Sequence, residues 1–248
     1  MGMYFDGSTY LTGPSLVSTG YSSTKLLLNL WFKSGDDTPT QGYLIRESGA
    51  GGGVGNLWVR QETNGRIVAN VYTSAGASIA NLDSVSTYGI ADGWNMLTIA
   101  IDTVAGFAKM FVNLVQKASA TPSASAVIDL EGAGWNLASR VSGSNKFTGD
   151  LDQVYLSNNF TTDYVSATGE LTAKFIAEMV DLDANGTIYR KTESIAASAG
   201  VPFILLESKT YSTFTTNTGS SVTAWTISAG QALPPTDTGH IGTYTFTG

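Results

Sequence analysis

GWNMLTIAIDTVAGFAKMFVN, residues 93–113, places apolar side chains at Leu97, Ile99 and Ile101, then at Phe107, Met110 and Val112, about a small Gly-containing turn. Alternation of this kind is the signature of half-buried strands. The stretch predicts two antiparallel strands, Trp94 to Asp102 and Phe107 to Asn113. A hairpin with one apolar face is stable only when a second sheet covers it. The search for that second sheet organises the rest of the chain.

Working outward, strand-like runs follow at short spacing: Met3 to Phe5, Tyr10 to Thr12, Lys25 to Lys33, Gly42 to Glu47, Leu57 to Gln61, Ile67 to Tyr72 and Leu151 to Ser157. Many short strands joined by Gly-rich turns read as an all-β sandwich. In KLLLNLWFK, Leu26, Leu28, Leu30 and Phe32 share one face, and Leu27, Asn29 and Trp31 the other. Bulk on both faces predicts a central strand. Asn64-Gly65 predicts a tight hairpin turn, since glycine tolerates the positive φ required there. The run Gly49 to Gly55, GAGGGVG, lacks the Lys and Ser/Thr of a phosphate loop and reads as a strand connector.

Composition narrows the function. The 248 residues hold 28 Gly, 11 Tyr, no Cys and a single His, with a formal net charge of -7. The 13 Lys and Arg are scattered along the chain, which argues against a nucleic-acid partner. Without cysteine there is no disulfide framework, so stability must come from the core, bound ions or neighbouring subunits. No window approaches the ~18 apolar residues of a membrane-spanning helix, and the opening MGMYFDGSTY does not read as a secretory leader. The expectation is a protein made in the cytoplasm, with no membrane insertion. The sequons at Asn159 and Asn185 are then expected to stay unmodified.

Four landmarks occur in order over residues 3 to 160: Tyr4-Phe5-Asp6-Gly7 through Leu11, Leu30-Trp31-Phe32-Lys33, Asn64-Gly65-Arg66, and Phe147-Thr148-Gly149-Asp150-Leu151-Asp152-Gln153-Val154-Tyr155-Leu156. Together with the central hairpin they resemble the concanavalin A-like lectin and laminin-G-like jelly rolls. The resemblance implies a concanavalin A-like β-sandwich jelly roll over residues 1–165. Residues 166–248 read as a short helix and a β-rich C-terminal extension mediating contacts. The helix is predicted from Gly169 to Val180, with Thr168 as its N-cap, because Leu171, Phe175, Ile176, Met179 and Val180 have helical spacing. After it come Val201 to Leu206 as an apolar strand, then Phe214 to Gly219 and Trp225-Thr226-Ile227. This extension resembles that of lectin-like structural proteins of tailed bacteriophages. What it implies is a non-enzymatic virion protein, decorating the capsid or associated with the tail. Its partners would be other virion proteins, and it would form a homo-oligomer. The alternative is a carbohydrate-binding, receptor-recognition module of the phage tail.

Each candidate site has a plainer reading beside it. Retaining glucanases of this fold need two carboxylates about 5 Å apart, conventionally from a Glu-x-Asp-x-x-Glu strand. Here Glu47, Glu62, Glu131 and Glu207 are isolated, Asp150 and Asp152 lie on the closing strand, and His240 has no triad around it. The chain is expected not to be an enzyme. By resemblance, Asp6 and Asp152 would hold a structural Ca2+ with backbone carbonyls. From the residues alone, Asp6 caps the Asp-Gly turn and Asp152 accepts backbone N–H groups. Asp181, Asp183 and Asn185 fit the start of an EF-hand loop, but its twelfth position is Thr192, with Glu193 one place late. An Asx-rich turn is the competing reading. Carbohydrate would stack on exposed aromatics, with Trp58, Trp135 and Tyr88 as candidates beside Tyr43 and Tyr72. Trp31 and Trp94 read as core.

Overall fold

The computed structural model describes residues 3–8, 10–13, 22–37, 39–48, 56–130, 134–140, 144–190, 204–210, 213–215 and 226–227. The glycine-rich connector 49–55, Glu131, Thr192, Glu193, His240 and most of the C-terminal tail lie outside these residues. In chain order the strands begin with β1 (Met3–Asp6), β2 (Leu11–Gly13), β3 (Ser22–Ser23), β4 (Lys25–Ser34), β5 (Gly42–Ser48), β6 (Leu57–Gln61), β7 (Arg66–Tyr72) and β8 (Ser78–Thr87). They continue with β9 (Asn95–Asp102), β10 (Phe107–Val112), β11 (Val115–Ala120), β12 (Ile128–Asp129), β13 (Gly134–Leu137) and β14 (Thr148–Ser157). After α1 (Ala173–Met179) come β15 (Val180–Leu182), β16 (Ile188–Arg190), β17 (Ile204–Thr210), β18 (Thr213–Thr215) and β19 (Thr226–Ile227).

Two antiparallel sheets form the sandwich. One runs β11-β10-β9-β4-β14-β17-β18, with β1 also on β14, and the other runs β19-β2-β13-β5-β6-β7-β8. The predicted hairpin is β9 and β10, registered from Asp102↔Phe107 to Leu97↔Val112. Asp102 closes its turn by accepting the N–H groups of Val104 and Ala105, at 3.0 and 2.9 Å. β4 is central as predicted, paired with β9 on one side and β14 on the other. Its Leu26, Leu28, Leu30 and Phe32 join Leu57, Val59, Ile67, Val71, Trp135 and Leu137 of the facing sheet in the main core. The alternate residues Leu27 and Trp31 face the opposite way, into a second apolar layer.

That second layer explains the helix. Phe175 and Met179 of α1 are buried against Trp31, Met96, Ala100, Phe107 and Tyr155 on the outer face of the first sheet. The helix starts later than its apolar spacing suggests. Gly169 has φ +84, which no helix accommodates, and its N–H and that of Ser166 close a turn onto Ser166 and Glu170. The N-cap is therefore Thr172, whose hydroxyl accepts the Phe175 N–H at 3.2 Å, and not Thr168. β17 then extends the same sheet, pairing Ile204–Leu206 with β14.

Candidate functional site

The two sheets differ on their outer sides. That of the first sheet is apolar and covered by α1, as above. That of the second carries polar and aromatic side chains, because the alternate positions of LWVRQ and IVANVY point away from the core. Strand register lines these up in a row from Thr12 through Asn136, Arg46, Trp58 and Asn70 to Asn81. A second row runs from Tyr43 through Arg60 and Val68 to Asp83.

Tyr43 and Trp58 meet edge to face, with ring centroids 6.0 Å apart, and pack with Val68 and Tyr72 in a small cluster separate from the main core. Arg60 lies 4.5 Å over the Trp58 ring and donates from Nε to Glu62 at 2.6 Å. Gln41 Nε2 donates to the other Glu62 oxygen at 2.8 Å. Partial burial works against the Arg60 charge, but its bonds to Tyr43 and Glu62 outweigh that and raise its pKa. At the far end, Asn70 Oδ1 accepts from Asn81 Nδ2 at 2.9 Å and from the Tyr72 hydroxyl at 3.3 Å. Asn81 is exposed and Tyr72 half-buried, so this end presents amide and ring to solvent.

The stacking candidates are corrected here. Trp135 is 1% exposed and Tyr88 7%, both inside the main core, where Tyr88 meets Phe32 edge to face. Trp58 is on the outer face but 8% exposed beneath Arg60, and Tyr43 is 6% exposed beside it. Tyr72 alone among these five retains substantial exposure. Trp31 is core, as expected, and Trp94 is half-buried beneath Arg190.

The paired calcium ligands are not brought together. Asp6 sits opposite Thr148 on β14, four residues from Asp152, which is ~13 Å along a strand. Asp6 instead closes its turn, accepting the Ser8 N–H at 2.7 Å. Asp152 faces the second apolar layer opposite Trp31, and its Oδ2 takes the Arg190 guanidinium at 2.8 Å. No cluster of three His, Cys, Asp or Glu occurs among the described residues.

Asp181, Asp183 and Asn185 belong to a β-hairpin, β15 to β16, rather than to a helix-flanked metal loop. Asp183 Oδ1 accepts the N–H groups of Asn185 and Thr187, at 2.9 and 2.8 Å. Those bonds, the one to Thr187 foremost, hold its carboxyl below the ordinary value. These bonds are those of an Asx-rich turn.

A family model described as the concanavalin A-like lectin/glucanases superfamily matches residues 5–164. The chain belongs to that superfamily. No curated protein matches it. Among solved structures, this lectin-like chain is similar to domains LG4-5 of the mouse laminin α1 chain, at 18% identity and TM-score 0.44, covering 63% of this chain and 40% of that one. The carbohydrate-binding module CBM40 of a Ruminococcus gnavus sialidase, bound to α2,3-sialyllactose, matches at 15% identity and TM-score 0.49, covering 65% and 91%. Domain 4 of an extracellular arabinanase from Geobacillus stearothermophilus, in complex with arabinotriose, matches at 18% identity and TM-score 0.46, covering 68% and 71%. These likenesses are of fold, and this chain spans two fifths of that laminin chain. The residues that make the outer face of this superfamily member, Arg46, Arg60, Asn70, Asn81 and Asn136, were not singled out from the sequence. The polar alternation around Trp58 and Tyr72 is the signal that marks them.

Proposed function

We propose that this chain is a non-catalytic glycan-recognition protein that reads its ligand on the outer face of the second sheet. The observation that supports this most is the contrast between the two outer faces. One is apolar and roofed by α1, while the other carries Asn136, Arg46, Trp58, Asn70 and Asn81 in a cross-strand row. At the exposed end of the row, the Asn81 amide supplies the directional bonds that sugar hydroxyls need, and half-buried Tyr72 supplies a ring face. Recognition without hydrolysis fits the carboxylates of this face. Glu62 is held by Arg60 and Gln41, and Asp83 by Arg66 at 3.0 Å.

Titration of the full chain with a panel of oligosaccharides tests this by calorimetry. Tyr72→Ala and Asn81→Ala are each expected to weaken the best ligand about tenfold, the worth of one stacked ring or one well-made hydrogen bond. Lys174→Ala, on α1, should leave affinity unchanged. Absence of any sugar binding, or indifference to both substitutions, would sink the reading.

The second reading is that of a phage surface protein contacting other virion proteins. It is favoured by β17 and β18, which add strands to the first sheet and place β18 last in its order. A sheet edge pairs readily with another chain. Removing residues 208–248 keeps the Ile204–Leu206 pairing with β14. The truncated chain loses β18 and β19, the end strands of the two sheets, and should therefore keep the sandwich folded, yet no longer be recovered on purified particles. Unfolding on truncation, or unchanged recovery, would count against this role.

A further inference from the structure

We infer that the ligand of this face is an uncharged oligosaccharide lying lengthwise along β8, and that Val85 is the apolar contact at its far end. The inference deepens the glycan reading and rests on it. Val85 is the most exposed large apolar side chain among the described residues, at 72%. Its φ is +60, a conformation that a β-branched residue adopts only when its surroundings force it. Those surroundings are a wide bulge. Arg66 pairs with Thr87 and Val68 with Asp83, so Ser84, Val85 and Ser86 together stand opposite Ile67. The Ile67 N–H donates to the Ser84 hydroxyl at 3.0 Å, that hydroxyl donates to the Ser86 carbonyl at 2.7 Å, and the Val85 N–H donates to Asp83 Oδ1 at 2.9 Å. Side-chain bonds thus hold a valine in a backbone state that glycine would take freely.

Bulges re-aim side chains, and what lies beside Val85 says what it meets. Asp83 stands on the outer face in register with Val68, and its second oxygen takes the Arg66 guanidinium at 3.0 Å. The two side chains of this pair are 36% and 33% exposed, so a ligand reaches them. Two residues earlier on the same face of the strand, Asn81 is exposed, and half-buried Tyr72 is joined to it through Asn70. The accessible groups therefore form a strip along β8, from Tyr72 and Asn81 past the Arg66–Asp83 pair to Val85. Asn81 to Asp83 alone is ~7 Å of strand, so the whole strip is longer than one sugar ring. A ring at one end and an aliphatic group at the other pack against the C–H faces of sugars, with polar groups between them for hydroxyls. The ion pair within the strip is closed on itself, because both Asp83 oxygens are engaged, and so it draws no charged sugar. β8 is the last strand of its sheet, but a bulge that only blocks edge pairing needs no apolar side chain at its apex.

The test titrates the full-length chain with the mono-, di- and trisaccharides of neutral glucose, xylose and arabinose series, and with trisaccharides ending in glucuronate. In the best neutral series affinity should rise at least about tenfold from monosaccharide to trisaccharide, and the acidic ending should bind no more tightly. Val85→Gly should melt no lower than the parent, because release of the strained φ offsets the backbone freedom that glycine adds. The same variant should bind the trisaccharide about fivefold more weakly and the monosaccharide as the parent does. Unchanged trisaccharide affinity in Val85→Gly, a marked fall in its melting temperature, equal affinity for one sugar and three, or tighter binding of the acid overturns this inference. Weakening by Tyr72→Ala in the same series then leaves the glycan reading standing. Failure of every sugar, neutral and acidic, overturns both.

Discussion

Replacing Gly149 by alanine is expected to cost about 4 kcal/mol of stability, combining a strained backbone with overpacking. Gly149 has φ +142, a conformation that residues with a Cβ seldom adopt. A Cβ there would stand 2.2 Å from the Lys33 carbonyl oxygen and 2.8 Å from the Gly35 N. Both are backbone atoms at the end of central strand β4, so they cannot yield as a flexible side chain would. β14 approaches β4 this closely because Gly149 pairs with Ser34 on one side and Phe5 on the other. For a domain of this size the loss should lower the melting temperature by about 8–16 °C. Gly76→Ala is the control: its φ is +80 but nothing lies within 4 Å of a Cβ. It should cost only about 1 kcal/mol, the strain without the clash. If the two variants melted together, the close approach of β14 to β4 would be wrong.

This glycine is legible in the sequence only as part of a family landmark, and the contrast extends to the whole fold. The hairpin at 93–113 and central β4 could be read because their side chains are large, apolar and strictly spaced. β8 and β11 could not. Ser78–Thr87 and Val115–Ala120 are rich in Ser, Ala, Gln and Lys, and they form strands because β7 and β10 offer them partners. Facing was harder still. The register shift between Tyr43 and Ile45 leaves both Leu44 and Ile45 buried, so parity cannot be carried through β5 by counting. Trp135 pairs with Glu47 and Trp58 with Arg46, adjacent residues of β5, so one ring turns inward and the other outward, and no local property of either tryptophan tells them apart. The candidate site suffers most, since its row takes residues from six strands scattered between Thr12 and Asn136. Only the tertiary register assembles it.

Arg190→Ala is expected to destabilise the protein by about 3 kcal/mol, because it strands a charge rather than merely removing a contact. The Asp152 side chain is 3% exposed, and Arg190 Nη1 reaches it at 2.8 Å. The same guanidinium lies 3.9 Å over the Trp94 ring, so it fastens the β15–β16 hairpin onto the first sheet by two contacts. Denaturant unfolding should show Arg190→Ala/Asp152→Asn to be more stable than Arg190→Ala alone by about 1 kcal/mol or more, since the second change removes the stranded charge. A double variant weaker than the single one would mean that Asp152 is held by its other bonds and that the pair contributes little. Ligand affinity adds an independent check. Arg190 and the row around Arg46 lie on opposite outer faces, separated by both sheets and the ~10 Å core between them. The less stable variant should therefore bind sugar as tightly as the parent wherever it remains folded. A fall in affinity parallel to the fall in stability would show that the roofed face and the polar face are not independent, and that the hairpin shapes the ligand site through the core.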